Sequence, residues 1–189
     1  MQANRSRAVR RGLAATGVLA AALAAAGAAT SANAATTTRS AGAAASTPRC
    51  HTADLAAHLR QLDPSAGNRH AVLTLENTSG RTCHTRGHAG MQLRASTGTA
   101  LPTKAVWVGG GGSTVTIKPG HRAYTRLDWG VVPSGGEPVT GRCEPTPARL
   151  AVTPPDERTQ RTVTWPYGPV CGHGAIDSQP LRAGSGPAY

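Results

Sequence analysis

The sequence predicts an all-β domain, an antiparallel β-sandwich of about seven to eight short strands. Three observations carry this. From His70 onward apolar residues recur at every second position in short runs. Gly, Pro, Asn and Asp break those runs every eight to twelve residues or so. The second half of the chain has no room for the crossover helices that a parallel sheet needs.

Taken in order, residues 1–34 are expected to be a secretory signal peptide. Arg5, Arg7, Arg10 and Arg11 precede an apolar run from Leu13 to Ala29, and Ala32-Asn33-Ala34 offers a small-x-small cut site. The run is Ala-rich and just short of a bilayer span, which favours a cleaved leader, so no transmembrane segment is expected in the mature chain. Arg10-Arg11 leaves the general and twin-arginine export routes both open. Residues 35–49, rich in Ala, Thr and Ser, cannot bury much surface and are expected to be a flexible leader. The β-sandwich domain is placed at residues 50–181, and residues 182–189 are expected to be a disordered tail.

Within the domain, Leu55, Leu59 and Leu62 fall at i, i+4 and i+7 after Thr52. One or two helical turns capped by Thr52, or an extended strand, both fit that spacing. Then Ala71, Leu73 and Leu75 alternate with Val72, Thr74 and Glu76, and Asn77 to Gly80 reads as a turn. Asn77-Thr78-Ser79 also has the pattern of a glycosylation sequon, although only the turn is expected to matter. Further strands are expected in MQLRA (91–95), KAVWV (104–108), STVTIK (113–118), HRAYTRLDWG (121–130), ARLAV (148–152) and RTVTW (161–165), with a final edge segment in GAIDSQPL (174–181). Gly109 to Gly112 is followed by a strand, and no Lys-Ser/Thr pair follows it, so it is a hairpin connection and not a phosphate loop. Val131 to Pro147 is a long Gly/Pro-rich loop.

The net charge of +11 falls to +7 once the four arginines of residues 1–34 are removed. Arginine outnumbers lysine eighteen to two and is scattered, without a basic run interleaved with aromatics, so specific nucleic-acid readout is not expected. The candidate partners are an anionic cell-wall polymer or another extracellular protein.

There are four cysteines, Cys50, Cys83, Cys143 and Cys171. In an exported chain an even number implies disulfides. Of the three possible pairings, Cys50–Cys83 and Cys143–Cys171 each close a loop of about thirty residues, worth roughly 3–4 kcal/mol apiece in the chain-entropy model. His84, His88 and His173 are the weak candidates for a metal site. His84 and His88 have His-x₃-His spacing, but on a strand they would stand more than about 13 Å apart unless the chain turned between them. No cofactor is expected, and there is no redox-type Cys-x-x-Cys.

Enzymatic signals are weak. There is no Gly-x-Ser-x-Gly elbow, and Ser185 lies between glycines in the tail. Asp156 and Glu157 are neighbours in a turn. Asp128 and His121, seven positions apart on one strand, cannot meet, so Asp128 is expected to pair with a nearby arginine. The expected function is that of a secreted, disulfide-stabilised binding module, extracellular or associated with the cell wall. Its candidate contact loops are Val131–Pro147 and Gly109–Gly112. The alternative is a secreted metal-binding or hydrolytic protein using surface histidines.

Several of these segments resemble an actinobacterial family of exported domains of unknown function, DUF4232. The resemblance rests on Cys50, on LTLENTSGRTC (73–83), GHAGMQL (87–93), VTIKPGHRAYTRLDW (115–129) and LAVTPPDE (150–157), and on VCGHGAIDSQPL (170–181). It covers about Cys50 to Leu181. Where the family often has Tyr and Pro after the glycine, this chain has His88 and Ala89. The resemblance implies an immunoglobulin-like β-sandwich and export, and it carries over no catalytic residue.

Overall fold

The computed structural model describes residues 46–187; the expected signal peptide and most of the expected leader lie outside them. Two strands, β1 (Leu55–Gln61) and β2 (Asn68–Asn77), form an antiparallel hairpin. The helical alternative after Cys50 shrinks to a single 3-10 turn, Thr52–Asp54, and the rest is strand. The reason lies in the spacing itself. Four residues make one helical turn and also two strand repeats, so Leu55 and Leu59 share a face either way. The long edge of β2 then supplies a hydrogen-bonding partner that a helix there could not use.

Nine more strands follow: β3 (Cys83–Thr85), β4 (Gly90–Arg94), β5 (Lys104–Trp107), β6 (Val115–Ile117), β7 (Arg122–Gly130), β8 (Arg149–Thr153), β9 (Arg161–Thr164), β10 (Ala175–Ser178) and β11 (Arg182–Ala183). The large sheet runs β1-β2-β7-β10-β5, with β11 paired to β7. Against it stand a two-stranded sheet, β3-β6, and a three-stranded sheet, β4-β8-β9. All pairs are antiparallel except one: β10 runs parallel to β5, matching Ala175 to Lys104 and Ser178 to Trp107. The link between these two strands contains β6 to β9, and that long excursion replaces the crossover helix whose absence argued against parallel pairing.

The core follows the period-two pattern. Leu73 and Leu75 of β2, Ala123, Leu127 and Trp129 of β7 and Ile176 of β10 meet Leu93, Leu150 and Val152 of the three-stranded sheet and Cys83 and Ile117 of the two-stranded one. Each fully buried Leu or Ile contributes about 1.5–3 kcal/mol. With no phenylalanine in the chain, one end of the core is filled by Trp129, Trp165 and Tyr167, whose ring centroids lie 4.8 to 5.5 Å apart. Burial there pushes the Tyr167 phenol up.

Asn77 explains why the turn after β2 is fixed. Its side chain is fully buried, donates to Arg81 O at 2.8 Å and to Ile117 O at 2.9 Å, and accepts from Ser79 N and Ser79 Oγ. The sequon asparagine is thus spent inside the fold, joining the β2 end to β6.

Two disulfides, Cys50–Cys83 and Cys143–Cys171, cross-link the domain. The first anchors the entering chain to β3, beside the backbone bond from Cys50 N to His84 O at 2.9 Å. Residues 182–187, within the expected tail, lie along the large sheet. Arg182 and Ala183 pair with Tyr124 and Ala123, and Gly186 packs onto Val72. That contact covers the outer face of β2, so Val72 is as buried as its inward-facing neighbours. Gly, Ser and Pro are individually poor strand formers, but β7 has a free stretch of edge here, and pairing satisfies the backbone of both segments.

Candidate functional site

The most distinctive surface feature begins at the end of β5. Trp107 lies 65% exposed, whereas Trp129 and Trp165 are each 2% exposed. An indole left in water at the end of a strand forgoes its hydrophobic gain unless something covers part of it. His88 does so on one side, stacked with ring centroids 5.5 Å apart and planes 13° from parallel. His88 Nε2 donates to Val108 O at 3.0 Å, which fixes the ring against the strand. Gly87, at φ +102°, turns the chain so that His88 can reach the indole.

Trp107 and His88 line a cleft of about 440 Å³ together with Arg86, Gly110, Gly111, Pro155 and Asp156. Arg86 is held by its Nε–H donating to Gly112 O at 3.1 Å. Gly112 sits at φ +65°, and a Cβ there would lie 2.5 Å from Pro180 Cβ, so this glycine lets the loop close over the sheet. The far wall is the β8–β9 turn, where Asp156 adopts φ +60°. Its neighbour Glu157 turns away: it accepts from Thr52 N at 2.9 Å and Thr52 Oγ1 at 3.0 Å and lies 3.1 Å from His51 Nδ1. These contacts, the Thr52 N–H foremost, lower its carboxyl below the usual range. Of the two acids expected in that turn, one is structural and one faces the cleft.

A second cluster ties down the 131–147 loop. Gly172, His173 and Gly174 take φ of +70°, +58° and +74°, and within this left-handed run the N–H groups of Gly172 and His173 converge on one point as an anion-holding nest. Glu137 fills it. Its carboxylate accepts from His173 N at 2.8 Å, Gly172 N at 2.9 Å and Ser134 N at 2.8 Å. The His173 N–H is the largest cause holding this carboxyl down to about 2 from an ordinary 4.5, with Gly172 and Ser134 adding to it and burial opposing. The Cys143–Cys171 disulfide staples the same loop and turn together.

The three candidate metal histidines are distributed over separate places. His84 Nδ1 is 2.8 Å from Thr47 O, His88 lies on Trp107, and His173 Nδ1 is 3.4 Å from Glu144 Oε1. Among the described residues, neither His84 nor His88 belongs to a metal-sized group of three. His173 does, with Glu137 and Glu144. The Glu137 oxygens, however, already face three N–H donors, whose dipoles oppose a cation. Asp128 pairs with Arg126, Nε to Oδ1 at 2.7 Å, and also meets His70, while His121 bonds Pro119 O.

Sequence reasoning named the glycine loop and His88 without joining them to Trp107, because the 88–107 contact depends on how β5 lies beside the β3–β4 connection. Glu137 was missed as well; a lone acid in a Gly/Pro-rich loop has no local signature.

A family model described as a domain of unknown function, DUF4232, matches residues 50–185. The chain belongs to the DUF4232 family. No curated protein and no solved structure matches it. The DUF4232 match spans all eleven strands, both disulfides, the Trp107 cleft and the Glu137 nest. No helix among the described residues of this DUF4232 protein is long and apolar enough to cross a membrane.

One result is expected directly from the nest. Because the folded-state pKa of Glu137 is depressed, its contribution is complete above about 4.5 and is lost as pH falls from there toward 2. Thermal melts followed by circular dichroism should show the wild type losing Tm over that window more steeply than Glu137→Gln. Parallel acid limbs would refute the assignment.

Proposed function

We propose that the protein is a secreted binding module that works at or near the cell wall and takes its ligand in the Trp107 cleft. The observation that carries this reading is a tryptophan 65% exposed yet held in place by a stacked histidine. Rigid exposed aromatics with a few fixed polar neighbours are the usual anchors of recognition sites. Export accords with the expected signal peptide and with two disulfides, which persist in oxidising compartments.

The cleft chemistry favours a ligand with a flat apolar face and an anionic group, such as a sugar unit of an acidic wall polymer. The Trp107 face takes the ring, and the Arg86 guanidinium takes the charge. The net positive charge of the mature chain would draw such a polymer in.

The test is a fluorescence titration of the protein with purified anionic wall polymer. The other two indoles are buried, so a change on binding reports on Trp107. Trp107→Ala should weaken binding, measured by cosedimentation, at least about thirtyfold, the loss typical of a central anchor. Arg86→Ala should weaken it and flatten its dependence on salt. Unchanged cosedimentation by Trp107→Ala would remove the cleft from the function.

A further inference from the structure

The outer face of the large sheet carries a row of side chains that the cleft does not use. The β1–β2 hairpin closes through Ser65 and Asn68, whose backbones bond each other in both directions, N to O, at 3.2 and 3.0 Å. The turn therefore does not need the Ser65 hydroxyl, which points to His70 instead, with Oγ 2.9 Å from Nε2. On its other side His70 Nδ1 meets Asp128 Oδ1, its direct cross-strand partner on β7. Arg126 pins that carboxylate, Nε to Oδ1 at 2.7 Å, and its Nη2 lies 3.1 Å from His70 Nδ1. His70 is mostly buried, whereas Ser65 faces solvent.

Hydroxyl to Nε2 and Nδ1 to carboxylate is the connectivity of a serine nucleophile with its base and the group that orients the base. In the tautomer that gives Nδ1–H to Asp128 and none of it to Arg126, Nε2 is the acceptor that can take the hydroxyl proton. The geometry points to Ser65, His70 and Asp128 as a nucleophilic relay that hydrolyses esters of small acyl groups. Asn68, bonded to Ser65 across the turn, and Asp128 border a neighbouring hollow of about 210 Å³ together with Gly130, Val132 and Asp177. Val132, 60% exposed, packs against Gly67 of the turn, an apolar contact for a small acyl chain.

In the reaction, Ser65 Oγ attacks the ester carbonyl carbon as its proton passes to His70 Nε2. The bond to the alcohol oxygen breaks, and the imidazolium returns the proton to the departing alkoxide. Water then gives a proton to His70 Nε2 as its oxygen attacks the acyl-serine carbonyl; the bond to Ser65 Oγ breaks, the imidazolium returns its proton to Oγ, and the carboxylic acid leaves. Asp128 is a positioning residue throughout.

The test is incubation of the full protein, disulfides intact, with a fluorophosphonate probe, followed by peptide mapping and p-nitrophenyl acetate turnover. A single adduct on Ser65 is expected. Ser65→Ala should abolish it, and His70→Gln should slow labelling of Ser65 by about 10²-fold or more. Ser185→Ala, which removes an exposed hydroxyl in the C-terminal segment, should leave labelling intact, so that the adduct reports Ser65 and not general serine reactivity. Absence of a Ser65 adduct on protein with native circular dichroism would overturn the proposal. So would labelling that His70→Gln does not slow, or acetate turnover unchanged in Ser65→Ala.

Discussion

Gly174→Ala should be among the most damaging single substitutions in the domain, costing about 3 kcal/mol or more. Two effects add at this position. Gly174 sits at φ +74°, where an L side chain is strained, and a Cβ there would lie 2.1 Å from Pro102 O and 2.5 Å from Pro102 C. Both obstacles are backbone, so neither can swing aside. The chain would have to part where residues 102–103 lead into β5, disturbing the parallel β5–β10 pair as well. Gly172→Ala is the control. Its φ is similar at +70°, but a Cβ there would meet only Ser134 Oγ at 3.6 Å and Ala175 Cβ at 3.7 Å, ordinary contacts. It should cost about 1 kcal/mol, the conformational part alone. Urea titration of the two variants separates the contributions; equal midpoints would mean that the close approach of the 102–103 backbone is not maintained in solution.

Replacing both members of the Cys50–Cys83 pair by serine is the second large effect. Its partners are 33 residues apart and those of Cys143–Cys171 are 28 apart, so the chain-entropy contributions are nearly equal, about 3.5–4 kcal/mol each. Place in the core breaks the tie, since Cys143 and Cys171 are also buried, at 7% and 2% exposed, but lie outside the core cluster. Cys50 and Cys83 are 3% and 0% exposed and belong to the core cluster, so two hydroxyls there would add an unmet hydrogen-bonding cost of about 1–3 kcal/mol each. Set against a total stability of about 5–15 kcal/mol, this double variant should be largely unfolded at 37 °C. The Cys143→Ser, Cys171→Ser protein should retain its sheets, because Glu137 still clasps the same turn. A urea series in which the second pair matters more than the first would contradict this ordering.

Much of the sheet framework was legible in the sequence because alternation is a local signal. β2, β7 and β8 announce themselves through Leu73/Leu75, Ala123/Leu127/Trp129 and Leu150/Val152, whose neighbours face elsewhere. β1 was ambiguous for a stated reason, the four-residue spacing of Leu55 and Leu59. β3 is three residues long, too short for any period to show, and β11 exists only because β7 offers it an edge. The sites were harder. Trp107 read as one face of a strand, and nothing in KAVWV tells an edge from a centre. Ser65 and His70 are five residues apart, a distance without meaning until the hairpin register folds one onto the other. Asp128 was expected to meet an arginine, and Arg126 is there; its cross-strand contact with His70 needed the β2–β7 register.

The position of β10 has a consequence for how this molecule comes into being. One of the last segments to be synthesised is not laid on the outside; it is inserted between β7 and the edge strand β5 and joins that edge to the largest sheet. Until residues 175–178 arrive, β7 and β5 have no common neighbour, and the loop closures that unite them must wait for nearly the whole chain. A growing chain therefore lacks the strand that ties β5 to the rest of the large sheet, and that sheet can close only once residues 175–178 have been made.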